Sequence, residues 1–283
     1  MTSGAVPTLT LRGEGVPIPG IWKRVATAVV FIPAFVWVVL DGPSALFHAF
    51  IVALSAGAAW ELGRMLERAE RPAQTGLSVG GAVVVTASFV VPGGPTIALV
   101  AMLFVVLAVS LRTSTARSVE SAAATVLTVT YVGWLLGHAV LLRELSGGAG
   151  LVLFLVGVTW AGESAAYAVG STLGRHKLAP VISPRKTMEG AATQVVMSLV
   201  VAPLLAGWFV PDWSLVRVIG AALLLGTLGQ LGDLAESGIK RSLGTKDTSA
   251  IIPGHGGVLD RLDSLLFNTP ALFYYVKIVG GGS

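Results

Sequence analysis

Long apolar stretches recur along this chain and approach the length needed to cross a membrane as a helix. The hydrocarbon core of a bilayer takes about 20 helical residues to span. Nine stretches come near that length, at about residues 25–40, 44–62, 77–92, 95–111, 122–142, 151–173, 192–210, 216–236 and 265–279. We therefore predict an all-α, polytopic integral membrane protein with about nine transmembrane helices.

The composition excludes an ordinary soluble domain and several kinds of site. Only 12% of the 283 residues are charged, 54% are hydrophobic and the mean hydropathy is +0.80, whereas soluble domains average about 25% charged residues. The absence of cysteine excludes disulfides, thiolate nucleophiles and cysteine-ligated metals. The four histidines lie far apart in sequence, so a bound metal is expected to be hard and oxygen-ligated. The net charge of +4 comes without a soluble basic patch interleaved with aromatics, so we predict no nucleic-acid partner.

The basic residues predict the orientation of the spans, because Lys and Arg concentrate in cytoplasmic loops. With nine spans and a cytoplasmic N-terminus, 16 of the 19 basic residues fall on the cytoplasmic side, and only Arg143, Arg217 and Lys277 fall outside. We expect a flexible cytoplasmic arm (1–21), N-terminal transmembrane helices (22–150), a C-terminal transmembrane catalytic region (151–279) and a tail (280–283). The polar loops of the C-terminal half are then expected on the cytoplasmic side of the membrane.

Three polar stretches interrupt the apolar pattern in the C-terminal half. In WAGESAAY, residues 160–167, Glu163 lies inside an otherwise apolar helix. Such a carboxylate either faces a functional cavity or makes a structural hydrogen bond to a neighbouring helix. In GRHKLAPVISPRKTMEG, residues 174–190, polar and basic side chains crowd beside a proline. This loop either contacts anionic lipid as an ordinary cytoplasmic loop or supplies donors that bind phosphate.

The third polar stretch places carboxylates on two helices. The spacing i, i+3, i+4 and i+7 puts four side chains on one helical face, those of Asp233, Glu236, Ser237 and Lys240. Asp260 and Asp263 repeat the i, i+3 spacing at the start of the last span. Carboxylates this close repel one another in apolar surroundings, so a cation is expected among them. The candidates are a divalent ion and the side chains of Lys240, Arg241, Lys246 and Arg261.

Between the two carboxylate pairs lies PGHGG, residues 253–257. Its glycines either allow the backbone to approach a ligand closely or form a simple turn between helices. Carboxylates for a hard metal, basic residues for phosphate and glycines for close approach are together typical of phosphoryl or nucleotidyl transfer. The substrate is expected to be amphipathic, because the site lies at the level of the lipid headgroups.

Residues 237–263 follow the pattern S-x-x-K-R-x4-K-D-x5-P-G-H-G-G-x-x-D-R-x-D, which closely resembles the signature of the phosphatidate cytidylyltransferases, also called CDP-diacylglycerol synthases. KLAPVISPRKTMEG, residues 177–190, resembles a second segment of that family. The specific resemblance covers about residues 160–268. It implies that CTP and phosphatidic acid react to give CDP-diacylglycerol and pyrophosphate, with Mg²⁺ required. It also implies a homodimer, and leaves open whether a monovalent cation joins Mg²⁺. The expected location is the bacterial inner membrane, with the catalytic cleft on the cytoplasmic side of the C-terminal half.

The resemblance implies three overlapping sets of site residues. The metal ligands would be Asp233, Asp260 and Asp263, with Glu163 and Glu236 as further candidates. The catalytic set would comprise Asp233, Asp260, Asp263, Lys240, Lys246 and Asp247. The substrate-binding set would comprise Ser183, Arg185, Lys186, Thr187, Glu189, Ser237, Arg241, His255, Gly256, Gly257 and Arg261.

Two positions depart from the family pattern, and two other functions are compatible with parts of the sequence. Glu163 stands where the family commonly has aspartate, and Arg185 stands where a lysine is common, although arginine binds phosphate differently. One alternative is a CTP-dependent polyprenol or lipid kinase, which would transfer the γ-phosphate. The other is an ion-coupled transporter, in which buried acids mark an ion path. The long signature favours cytidylyl transfer over the kinase, and the clustering of acids at one surface favours an enzyme over the transporter.

Overall fold

A computed structural model describes residues 21–112, 117–249 and 256–279 of the chain. The elements in these ranges are α1 (Ile21–Leu40), α2 (Ser44–Arg68), α3 (Thr75–Ser88), α4 (Gly94–Ser110), α5 (Ser118–Thr128), α6 (Leu135–Glu144), α7 (Gly148–Thr172), β1 (Lys177–Ala179), β2 (Ser183–Thr187), α8 (Met188–Phe209), α9 (Leu215–Ser242) and α10 (Leu259–Val279). A π-helical turn, Val129–Trp134, joins α5 to α6, so that Ser118–Glu144 runs as one continuous helix. Residues 1–20, His255 and residues 280–283 lie outside the described ranges, and Ile21 begins α1 rather than ending the arm.

The helices confirm the predicted all-α class. Each of the nine predicted apolar stretches overlaps a helix. Within the described ranges, five helices are long and apolar enough to cross a membrane: Ser44–Arg68, Ser118–Glu144, Gly148–Thr172, Met188–Phe209 and Leu215–Ser242. Val29–Leu40, Thr75–Ser88 and Gly94–Ser110 are shorter apolar helices, and α10 contains four charged residues, Asp260, Arg261, Asp263 and Lys277. The count of nine spans therefore stays a prediction.

Glycines let α7 and α8 pack closely at their polar ends. A Cβ placed on Gly170 would lie 3.5 Å from the Cα of Gly190, and one placed on Gly190 would lie 2.9 Å from the carbonyl oxygen of Ala166. Small residues allow such close approach between membrane helices. Gly170 starts the GxxxG pattern that ends at Gly174, and in this structure that pattern packs within the chain, against α8 and the residue before it.

A third close approach joins α9 to α10. A Cβ on Gly232 would lie 2.5 Å from the carbonyl oxygen of Asp263 and 3.2 Å from the Cα of Ser264. Leu225 on α9 and Leu259 and Leu266 on α10 are fully buried. The C-terminal turns of α9 therefore lie against the first turns of α10, where the acidic residues of both helices are found.

A short antiparallel hairpin, β1 and β2, occupies part of the stretch that the sequence predicted as a loop. Lys177 pairs with Thr187, and Ala179 pairs with Ser183. The side chain of Thr187 then caps α8 by accepting a hydrogen bond of 3.2 Å from the amide of Gly190. Glu189, in the first turn of α8, accepts from the backbone amide of His176 and contacts its ring Nδ1 at 2.6 Å. These contacts hold the hairpin against the start of α8.

The packing of α7 on α8 yields a stability prediction. A Cβ on Gly150 would collide with the backbone carbonyl of Phe209, which cannot move aside as a flexible side chain could. Gly150→Ala should therefore destabilise the fold by about 1–3 kcal/mol and lower the melting temperature in detergent by at least about 2 °C. Gly207→Ala, on α8, is the matched control, because a Cβ there meets nothing within 4 Å. Equal melting temperatures for the two variants would contradict the packing described here.

Candidate active site

Three carboxylates converge where α9 meets α10. Asp233 and Glu236 come from successive turns of α9 and Asp263 from the first turns of α10, and one oxygen of each lies within 4.8 Å of the others. We call these three residues the carboxylate cluster. Glu236 is 0% exposed. The predicted shared face of α9 is therefore present, and the close approach at Gly232 brings Asp263 to it.

Two lysines neutralise part of this negative charge. Lys186, from β2, forms an ion pair of 2.6 Å with Asp233, so the hairpin supplies a cation to the cluster. Lys240, one turn after Glu236, pairs with Glu236 and also lies 2.8 Å from Asp260. The prediction that a basic side chain would lie among the carboxylates is confirmed for Lys240, and Lys186 is a second one.

Asp260 lies beside the carboxylate cluster and is held by several donors. Its Oδ1 accepts from Lys240, and its Oδ2 accepts from the amide and hydroxyl of Thr248 and from the amide of Gly257, at 2.7 to 3.2 Å. Gly256 has a φ of +82°, a conformation that favours glycine. Asp260 therefore fixes the turn that leads into α10, and its predicted role as a metal ligand stays a prediction.

A cavity of about 550 Å³ opens beside the cluster, between α7, the hairpin, α8 and α9. Four predicted substrate-binding residues line it, Ser183, Arg185, Lys186 and Thr187, together with Asp233 and Glu163. The Oε1 atom of Glu163 is buried and has no hydrogen-bond partner among the described residues. The same cavity is lined by Gln194 and Gln230, which the sequence analysis did not single out.

The remaining predicted site residues lie around this centre. Ser237 donates to Asp233 at 3.4 Å. Arg241 donates to the backbone carbonyls of Ile182 and Thr245, and so links the end of α9 to the hairpin turn. Arg241 is exposed, as are Lys246, Asp247 and Arg261. The structure thus places Arg241 in a bridging position and leaves its predicted contact with phosphate as a prediction.

Glu61, on α2, is a polar residue at this site that the sequence analysis missed. It is 0% exposed, and its carboxylate accepts hydrogen bonds from Thr248, Ser249, Val258 and Leu259. The signal available in the sequence was a single glutamate inside the apolar stretch 44–62, the same signal that drew attention to Glu163. What the sequence could not show is that α2 reaches the start of α10.

Comparison with known proteins gives this arrangement a context. Proteins named phosphatidate cytidylyltransferase from Staphylococcus aureus (strain COL) and from Staphylococcus saprophyticus subsp. saprophyticus are each 41% identical to this chain over 175 residues. A protein of the same name from Staphylococcus epidermidis is 41% identical over 178 residues. Each match spans 62% of this chain and 66% of the relative, just under two thirds of its length.

The comparison with protein families covers more of the chain. The sequence profile described as the cytidylyltransferase family matches residues 22–279. This range contains every helix and strand from the second residue of α1 onward, including the carboxylate cluster, the hairpin and Glu61. Because the match extends over nearly the whole chain, this protein belongs to the cytidylyltransferase family.

Proposed function

We propose that this protein transfers the cytidylyl group of CTP to phosphatidic acid, giving CDP-diacylglycerol and pyrophosphate. The observation that carries the proposal is the carboxylate cluster with Lys186, set beside a cavity of about 550 Å³ at the polar ends of apolar helices. Membership of the cytidylyltransferase family and the names of the staphylococcal relatives support the same reaction.

The lining of the cavity suits a substrate with a charged head and an apolar tail. Lys186, Arg185 and Asp233 provide charges at one part of the wall, whereas Tyr167 and Leu178 provide apolar surface at another. Tyr167 lies on α7 and is 79% exposed, so the apolar part of the wall is on the outside of the helix bundle. A lipid phosphate could therefore meet a water-soluble nucleotide here while its acyl chains remain in the membrane.

The residues at the cluster fit a magnesium ion. Mg²⁺ prefers carboxylate oxygens and completes its shell with water and substrate phosphate, and the cluster offers three carboxylates within 4.8 Å of one another. The buried Oε1 of Glu236 has no hydrogen-bond partner among the described residues. A buried oxygen of this kind needs a partner, and a metal ion would provide one. Asp233, Glu236 and Asp263 would hold the ion, and Asp260 is a neighbouring candidate. When bound, the ion would neutralise phosphate charge. A monovalent cation beside it stays a prediction from the family resemblance.

The chain's own residues then account for binding and orientation. An oxygen of the phosphatidate phosphate attacks the α-phosphorus of CTP, a new P–O bond forms, and the bond from the α-phosphorus to the bridging oxygen breaks to release pyrophosphate. Arg185 and Lys186 are placed to bring two anions together against their repulsion, which is the main requirement of such a transfer. No general base is needed, because a phosphate oxygen is already ionised at neutral pH.

We further propose nine spans, a cytoplasmic N-terminus, a site facing the cytoplasm of a bacterial inner membrane, and a homodimer. The distribution of 16 of the 19 basic residues supports the orientation. The membrane location is supported by five helices of sufficient length and apolarity in the described ranges. The homodimer rests on the family resemblance alone.

The reaction is tested by mixing detergent-purified protein with phosphatidic acid, Mg²⁺ and CTP labelled at both the α- and γ-phosphates. We expect the α-label in the lipid product and the γ-label in pyrophosphate. Chelation of Mg²⁺ should abolish both signals. Transfer of the γ-label to lipid would identify a kinase instead, and no transfer with any divalent metal would contradict the proposal.

The carboxylate cluster is tested by Asp263→Asn. Loss of this charge should reduce turnover by at least about 100-fold, the scale of removing one main electrostatic contribution to catalysis. The variant should be no less stable than wild type, because the substitution relieves repulsion among buried carboxylates. Asp212→Asn is the matched control, since Asp212 is exposed at the opposite end of α9 and should retain wild-type turnover. Wild-type turnover in Asp263→Asn would contradict the assignment.

A further inference from the structure

Glu61, on α2, accepts hydrogen bonds from four residues that precede or begin α10. Its Oε1 accepts from the hydroxyl of Ser249 and, at 2.9 Å, from the amide of Val258. Its Oε2 accepts from the hydroxyl of Thr248 at 3.1 Å and from the amide of Leu259 at 2.8 Å. We call these five residues the Glu61 clasp. It joins the residues on both sides of 250–255 to α2.

The clasp satisfies a specific requirement of α10. The first amides of a helix have no partner within the helix and carry partial positive charge, so they favour a nearby anion. Leu259 begins α10 and Val258 precedes it, and both of their amides point at the Glu61 carboxylate. The side chain that caps this helix comes from α2, 198 residues away in sequence from Leu259.

The clasp is also linked to Asp260. The hydroxyl of Thr248 lies 3.1 Å from Glu61 and 2.7 Å from Asp260, and its single proton serves one carboxylate at a time. Gly257 packs tightly against Thr248 and Glu61: a Cβ placed on it would collide with the hydroxyl of Thr248 and would lie 2.5 Å from Oε2 of Glu61. Movement of Glu61 would therefore free the hydroxyl of Ser249 and the amides of Val258 and Leu259. These three residues adjoin Thr248 and Gly257, whose groups hold Asp260, so Asp260 would be held less firmly.

We propose that Glu61 is a positioning residue for the cytidylyl transfer proposed above, and this inference rests on that function. Glu61 does not touch the cavity. It fixes the first turn of α10 and the turn before it, so that Asp260 and Lys240 keep their places beside the carboxylate cluster. Groups that orient the ligands and donors of a site typically change activity by about 10- to 100-fold when they are removed.

The test is Glu61→Gln, which preserves size but replaces one acceptor oxygen with an amide that donates. One of the two backbone amides then loses its acceptor. We expect kcat to fall by at least about tenfold, with a smaller change in KM for CTP and with folded protein retained. Glu61→Asp, which keeps the charge with a shorter reach, should recover part of the lost kcat. Glu67→Gln is the matched control, because Glu67 also lies on α2 but binds Thr75 and Arg64, away from the site.

A second measurement follows the clasp without relying on activity. In hydrogen–deuterium exchange, peptides covering 245–249 and 256–260 should exchange faster in Glu61→Gln than in wild type and Glu67→Gln. Unchanged exchange, or a loss of kcat that merely matches a loss of folded protein, would overturn the proposal. If wild type makes no CDP-diacylglycerol, the positioning role in that reaction is overturned together with the proposed function, whereas faster exchange in Glu61→Gln would still support the clasp itself.

Discussion

The structure around the carboxylate cluster has to offset the repulsion among its three negative charges. Asp233, Glu236 and Asp263 lie within 4.8 Å of one another at the ends of largely apolar helices, where an unpaired charge is costly. Lys186 and Lys240 approach them from the hairpin and from α9. The hairpin, the cap on α8 and the glycine contacts between helices all serve to hold these opposite charges in place.

The sequence predicted the local part of this arrangement well. The i, i+3 spacing of Asp233 and Glu236 on α9 fixes their common face whatever the tertiary structure, and Lys240 follows one turn later. The hairpin was not predicted, because its strands are only three and five residues long and contain a proline and several charges. A signal for the end of β2 was nevertheless present, since a threonine directly before an apolar helix is a typical N-cap.

What local patterns could not supply was the pairing of distant elements. In the sequence, Glu61 is only a single glutamate in an apolar helix. Two of its hydrogen-bond donors are backbone amides, and no residue type in the sequence identifies such donors. The same limit applies to Lys186, which the sequence placed in a phosphate-binding loop and the structure places on Asp233. The expected number of spans depends on a different physical property, the length of α3 and α4: with 14 and 17 residues they are shorter than the about 20 that the bilayer core requires.

The contact between Glu61 and α10 bears on how the protein is made. Glu61 lies on α2, the second of the described helices, and Leu259 begins α10, the last of them. Until α10 has been synthesised and packed, the Glu61 carboxylate lacks the amides of Val258 and Leu259, and the carboxylate cluster lacks Asp263. Assembly of the carboxylate cluster is therefore expected late in synthesis, and a chain that ends before α10 would contain most of the described helices without the complete cluster.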